Sequence, residues 1–155
     1  MNLTVHCKKF EELNLSELYK ILQIRNQVFY VEQHCDDLDL DDKDQLSYHL
    51  CLCDENMLCA YARLLPQGLS YKEMSIGRVA VAEDYRGKNI GKKLMSLAIE
   101  NCYKYFGKGP IKISGQLYLK RFYEFFGFKK ISDIYFEAGI EHIKMMKEDY
   151  TYEAV

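Results

Sequence analysis

The sequence predicts one α/β domain whose sheet is mixed and mostly antiparallel, and three observations lead there. Two apolar runs, residues 48–53 and 57–65, are joined by Asp54-Glu55-Asn56, which makes an antiparallel hairpin. A strand, turn, helix and second strand then follow over residues 76–114, and such a crossover returns its second strand parallel to the first. The 155 residues suffice to bury about two thirds of the unfolded surface in a single core.

Each element has its own local reason. Residues 2–7 open the chain as a short strand. Asn14 can cap a helix with Glu17 three residues on, and Leu18, Ile21, Leu22, Arg25, Val28 and Phe29 recur at helical spacing to about residue 31. Residues 36–44, six of them aspartate, make a loop. Asp37, Asp39 and Asp41 have the first spacings of a calcium loop, but Asp42 stands where glycine is required and Tyr48 where glutamate is. That loop is expected to be solvated or substrate-facing, without a metal. Residues 76–81 are rich in β-branched side chains and stop at Glu83-Asp84. Ile90, Leu94, Leu97, Ala98 and Tyr105 then share a helical face, and Gly107-Lys108-Gly109-Pro110 stops the helix. A strand at 111–114, a helix at 117–126 ending at Gly127, and strands at 128–131, 135–137 and 142–147 complete the chain.

Composition excludes several classes of function. Lys+Arg less Asp+Glu is 21 − 23 = −2, which offers no field for nucleic acid. No apolar run reaches the roughly eighteen residues of a membrane span, and the polar start MNLTVHCKKFEELN is no export signal, so a cytoplasmic protein is expected. The six cysteines then read as reduced and mostly buried, and no Cys-x-x-Cys pair suggests zinc.

The stretch that carries chemistry is the turn Arg86-Gly87-Lys88-Asn89-Ile90-Gly91 between strand and helix. A helix start leaves backbone N–H groups unpaired, and the helix dipole adds partial positive charge to them. With Arg86, Lys88 and Lys92 around it, such a turn is a socket for phosphate or pyrophosphate, although a basic turn can also be merely solvated. The spacing of Gly87 and Gly91 fits neither a Walker loop nor a dinucleotide fingerprint.

The turn resembles the acyl-CoA loop of the Gcn5-related N-acetyltransferase (GNAT) superfamily, Gln/Arg-x-x-Gly-x-Gly/Ala. Arg86 and Gly91 match its ends, and Asn89 replaces its first glycine as the residue next most tolerant of positive φ. Leu65-Pro66, Ile76-Gly77-Arg78-Val79-Ala80-Val81, Arg121-Phe122-Tyr123-Glu124, Gly127-Phe128, Gly139-Ile140 and His142-Ile143 extend the likeness to the ElaA-like branch, over about residues 25–146. The resemblance implies the GNAT fold, with a splayed parallel strand pair, and acetyl-CoA as co-substrate. Its pyrophosphate would lie on Arg86, Gly87, Lys88, Asn89, Ile90, Gly91 and Lys92, and its pantetheine along Val79, Ala80 and Val81. Gln116 would help to hold it.

The same resemblance places Tyr123 as the phenol that hydrogen-bonds the departing sulfur. Glu32, His49 and His142 are the candidate bases. Glu32 also stands with Arg25, Phe29, Gln33, His49 and His142 on the expected amine side. Where the branch usually has Pro-Tyr, this chain has Asp36-Asp37. The expected reaction is direct attack of a primary amine in a ternary complex, because no Cys or Ser stands in a nucleophile–base pair. No nucleic acid or membrane partner is implied, and a homodimer is compatible with the family. A silent CoA-binding sensor of the same fold and an ATP-binding turn are the alternatives.

Overall fold

The computed structural model describes residues 1–150. Its main elements in chain order are β1 (Leu3–Lys9), α1 (Leu15–Arg25), β2 (Tyr48–Asp54), β3 (Met57–Leu65), β4 (Ser75–Val81), α2 (Ile90–Phe106), β5 (Ile111–Gln116), α3 (Lys120–Phe125), β6 (Lys129–Lys130), β7 (Tyr135–Glu137) and β8 (Ile140–Lys147). β1 to β4 form an antiparallel sheet in sequence order. A second sheet runs β5-β8-β6, with β7 also on β8.

α1 starts as the sequence predicts. Asn14 Oδ1 accepts from the Glu17 amide at 2.7 Å, and Glu17 accepts from the Asn14 amide at 2.9 Å. Beyond Arg25 the helical pattern continues as π-helical turns, Asn26–Glu32, with the Gln33 amide donating to the Val28 carbonyl at 3.2 Å. The wider turn keeps Val28 on the core beside Ile21 and Ile24 while Phe29 and Gln33 reach a cavity wall. α2 lies across both sheets, so its buried stripe is broader than predicted. Met95, Ile99 and Cys102 join Ile90, Leu94 and Ala98, while Tyr105 moves to the rim and stacks on Tyr48 at 4.2 Å between ring centroids. The cysteines are free, and only Cys51, Cys59 and Cys102 are buried.

The parallel pairing expected between β4 and β5 exists only at its base. Met74 and Ile111 form one parallel bridge, with the Lys112 amide donating to the Met74 carbonyl at 3.0 Å. Beyond it the strands part. A bulge in β4 has the geometry to part them: its register against β3 passes from Arg63↔Gly77 to Tyr61↔Ala80, which sets Arg78 and Val79 opposite Ala62 alone. Arg78 takes φ 53°, a left-handed conformation that costs a non-glycine residue about 1–2 kcal/mol and is held here by its side-chain bonds to Asp39. The resulting wedge is where the site lies.

Candidate active site

A cavity of about 420 Å³ fills the wedge. Val79 and Gly77 of β4, Ser114 and Gln116 of β5, and Tyr123 of α3 form its inner walls, and Phe29, Tyr30 and Gln33 close it from the π-helical segment. On β5 the burial alternates, so Ser114 and Gln116 face the cavity while Ile111, Ile113 and Gly115 face the core. The Gln116 amide donates to Gln33 Oε1 at 3.0 Å and joins the two walls.

A second hollow lies at the other end of β4's free edge. It is lined by Val81, Tyr85, Arg86, Gly87, Asn89, Ile90, Gly91, Lys92 and Phe122. Gly87 takes φ 75°, and Asn89, the residue before α2, takes φ 60° and caps none of the helix's first amides with its side chain. Those amides are therefore presented to the hollow, with Lys92 beside them. Arg86 is exposed, but its guanidinium is not unpartnered. Its Nε donates to the Val81 carbonyl at 3.0 Å and its Nη2 pairs with Glu32 at 2.5 Å.

The acidic loop is not simply solvated. Three arginines from three elements hold it. Arg25 bonds Asp39 at 2.9 Å and Asp44 at 2.8 Å, Arg63 bonds Asp41 at 2.7 Å and Asp44 at 2.9 Å, and Arg78 bonds Asp39 at 2.8 Å. Burial pushes the Asp44 and Asp41 carboxyls up, but the arginines outweigh it, holding Asp44 below its usual range and Asp41 at about 2. Pinned this way, the loop turns Asp37, Leu38, Asp39 and Asp41 to the cavity and serves as its outer wall.

The other expected site residues are brought together unevenly. Tyr123, 6% exposed, lines the cavity, and its ring lies so close on β5 that a Cβ at Gly115 would meet Tyr123 Cε2 at 3.0 Å. Burial raises the phenol's pKa, which favours the protonated form that can donate a hydrogen bond. His142 lines the same cavity. Arg25 and His49, expected at the substrate, lie elsewhere. Arg25 is 1% exposed because Asp39 and Asp44 draw it inward, and His49 is fully buried between the Tyr61 hydroxyl at 2.7 Å and the Asp44 carbonyl at 2.9 Å. Glu32 stands by the second hollow, with Oε1 paired to Arg86 and its buried Oε2 without a hydrogen-bond partner. Reasoning from sequence missed Ser114, Glu137, Tyr71 and Arg78 at the cavity. Alternation along β5 could have found Ser114, whereas Arg78 depends on a bulge that no residue spells.

Comparison with known proteins agrees with this geometry. The family model described as an acetyltransferase (GNAT) domain matches residues 24–149. Protein ElaA of Escherichia coli is 40% identical over 139 residues, covering 88% of this chain and 91% of ElaA. The crystal structure of E. coli ElaA superposes with a TM-score of 0.87 at 37% identity, covering 94% of this chain and 99% of that one. A crystal structure of an acyl-CoA N-acyltransferase from Pseudomonas aeruginosa superposes with a TM-score of 0.90 at 34% identity, with the same coverage. A strand pair splayed around a cavity, an amide-rich turn at the start of a helix and these likenesses agree, and the chain belongs to the GNAT acetyltransferase family, in its ElaA-like branch.

Proposed function

We propose that the chain moves an acetyl group from acetyl-CoA to a primary amine of a small molecule or peptide, by direct attack within a ternary complex. The observation that carries this is the free edge of β4, which joins the two hollows: Val81 lines the turn at α2, and Val79 lines the cavity that holds Tyr123. A pyrophosphate held on the first-turn amides of α2 and on Gly87, Lys88 and Lys92 would start a pantetheine arm along Val81, Ala80 and Val79. Its amides would pair with the strand as an added strand does. The arm would deliver the thioester into the wedge beside Tyr123.

Aminolysis of a thioester needs a neutral amine, a stabilised oxyanion and relief of charge on the departing sulfur. The bulge at Arg78 and Val79 leaves backbone groups outside the β3 ladder, which supports a role for them in stabilising the oxyanion. Tyr123 donates its hydroxyl to the sulfur. Arg86 is engaged by Glu32 and the Val81 carbonyl, so the incoming cofactor exchanges one set of partners for phosphate oxygens and leaves Glu32 free.

Free-thiol release from acetyl-CoA against a panel of primary amines tests the reading. The expected result is release that depends on the amine. Thermal stabilisation by CoA without release for any amine would make the chain a sensor instead.

A further inference from the structure

The cavity wall carries one of the candidate bases, His142, to which the steps above give no role. His142 of β8 is 6% exposed and lines the cavity, and its Nδ1 sits 2.7 Å from the Ile140 carbonyl oxygen. A carbonyl only accepts, so Nδ1 carries the proton and donates it. In the neutral ring this leaves Nε2 as a bare acceptor. Nε2 faces Oε2 of Glu137, 3.5 Å away, and that oxygen too only accepts. Two acceptors turned on one another repel unless the ring takes up a proton or a donor lies between them, and beside a carboxylate a cationic donor is favoured. Glu137 is fixed at this point from its other oxygen, which accepts from the Ser114 hydroxyl at 3.0 Å, while Ser114 also bonds the Tyr135 hydroxyl.

We propose that the Glu137–His142 pair is the docking point for a cationic alkyl ammonium group, with Nε2 of His142 as the acceptor of its proton. This rests on the acetyl-transfer reading and names the acceptor class and base for it. The ammonium donates to Glu137 Oε2 and to Nε2. The proton on Nε2's side then passes to His142, and the carboxylate stabilises the positive charge equally on either nitrogen, so it holds the cation without opposing the transfer. The freed nitrogen lone pair forms a C–N bond to the thioester carbon, and collapse of the tetrahedral oxyanion breaks the C–S bond. The sulfur takes the Tyr123 hydroxyl proton, the product nitrogen loses its extra proton to the Tyr123 oxygen, and His142 releases its proton to solvent. One ammonium and one thioester yield one amide, one thiol and one proton.

Other charged groups near His142 do not duplicate the pair. Lys144 is turned to the rings of Tyr135 and Tyr71, Lys43 of the acidic loop bonds Ser70 at 2.9 Å, and Asp39 and Asp41 are held by arginines. Asp37 lines the cavity as a second acidic group, and Gln116, opposite His142 across the β5–β8 ladder, is uncharged.

The test uses 1,4-diaminobutane as probe and two variants. His142→Asn keeps an N–H at the place of Nδ1 and deletes Nε2, and Glu137→Gln keeps the shape and deletes the charge. In acetyl-CoA turnover, His142→Asn should lower kcat by about a hundredfold or more, with KM for acetyl-CoA unchanged, and remove the wild type's acidic limb in kcat/KM. Glu137→Gln should chiefly raise KM for the diamine. With aniline, which is neutral at pH 7, both effects should shrink. Independently of turnover, the Nε2 nitrogen-15 resonance of His142 should move on addition of the diamine in wild type and in Tyr123→Phe, but not in Glu137→Gln. Turnover that survives His142→Asn with its pH profile intact, or an Nε2 resonance that ignores the diamine, overturns the assignment. An inactive wild type whose resonance still responds would refute acetyl transfer and leave the ammonium site standing.

Discussion

The placement of Tyr123 depends on the residue beneath it. The phenyl face fits against β5 only because Gly115 has no side chain, and an added methyl 3.0 Å from Cε2 would push the ring off the strand. Gly115→Ala is therefore expected to destabilise the fold by about 1–3 kcal/mol, read by denaturant unfolding, and to lower kcat as well. Tyr123→Phe removes only the hydroxyl, so it should lower kcat by about a hundredfold with little change in KM for acetyl-CoA; unchanged turnover would remove Tyr123 from the chemistry. Asn89 shows how much a residue's type reveals. Asparagine tolerates a left-handed backbone, and the structure gives it φ 60° where the family motif has glycine. Asn89→Gly should accordingly be tolerated, while Asn89→Val should cost about 1–2 kcal/mol and weaken CoA binding in a calorimetric titration.

Among the elements, the acidic loop changes most between sequence and structure. A run of aspartates reads locally as solvated, and nothing within it reveals that Arg25, Arg63 and Arg78 converge on it from α1, β3 and β4. Those partners are 14 to 39 positions away, beyond the reach of any periodicity. Asp44, buried between Arg25 and Arg63, is the member whose loss removes a charge partner from two buried arginines at once, leaving Arg25 with Asp39 and Arg63 with Asp41. Asp44→Asn is expected to cost about 3–5 kcal/mol in a denaturation experiment, and a loss under about 1 kcal/mol would mean the lock is ornamental. The lock also sets a direction for pH. Asp41 is held at about 2 in the folded chain against about 4 when unfolded, so its contribution is complete above about pH 4 and fades as the pH falls to about 2. Helices, hairpin and capping box were legible because each is written in neighbouring residues. The splay of β4 from β5 was expected only through the family resemblance, and the π-helical turns after Arg25 were not legible at all, since both follow from packing between distant segments.

At the scale of the molecule, the two sheets touch along one parallel bridge and then separate around a cavity, and the edge of β4 runs from that cavity to the start of α2. From the sequence the turn at residues 86–91 reads as a candidate anion socket, with a merely solvated turn as the alternative. That Arg86 is held by Glu32, 54 positions earlier, is not legible there. Arg86→Ala should raise KM for acetyl-CoA, with the gap from wild type narrowing as salt screens the charge. The most direct check on the whole arrangement is a crystal structure of the CoA complex. The expected result is a pyrophosphate on the amides of residues 87–91 and a sulfur within about 3.5 Å of the Tyr123 hydroxyl oxygen. A pyrophosphate seated away from α2, or a sulfur that Tyr123 does not reach, would contradict the account.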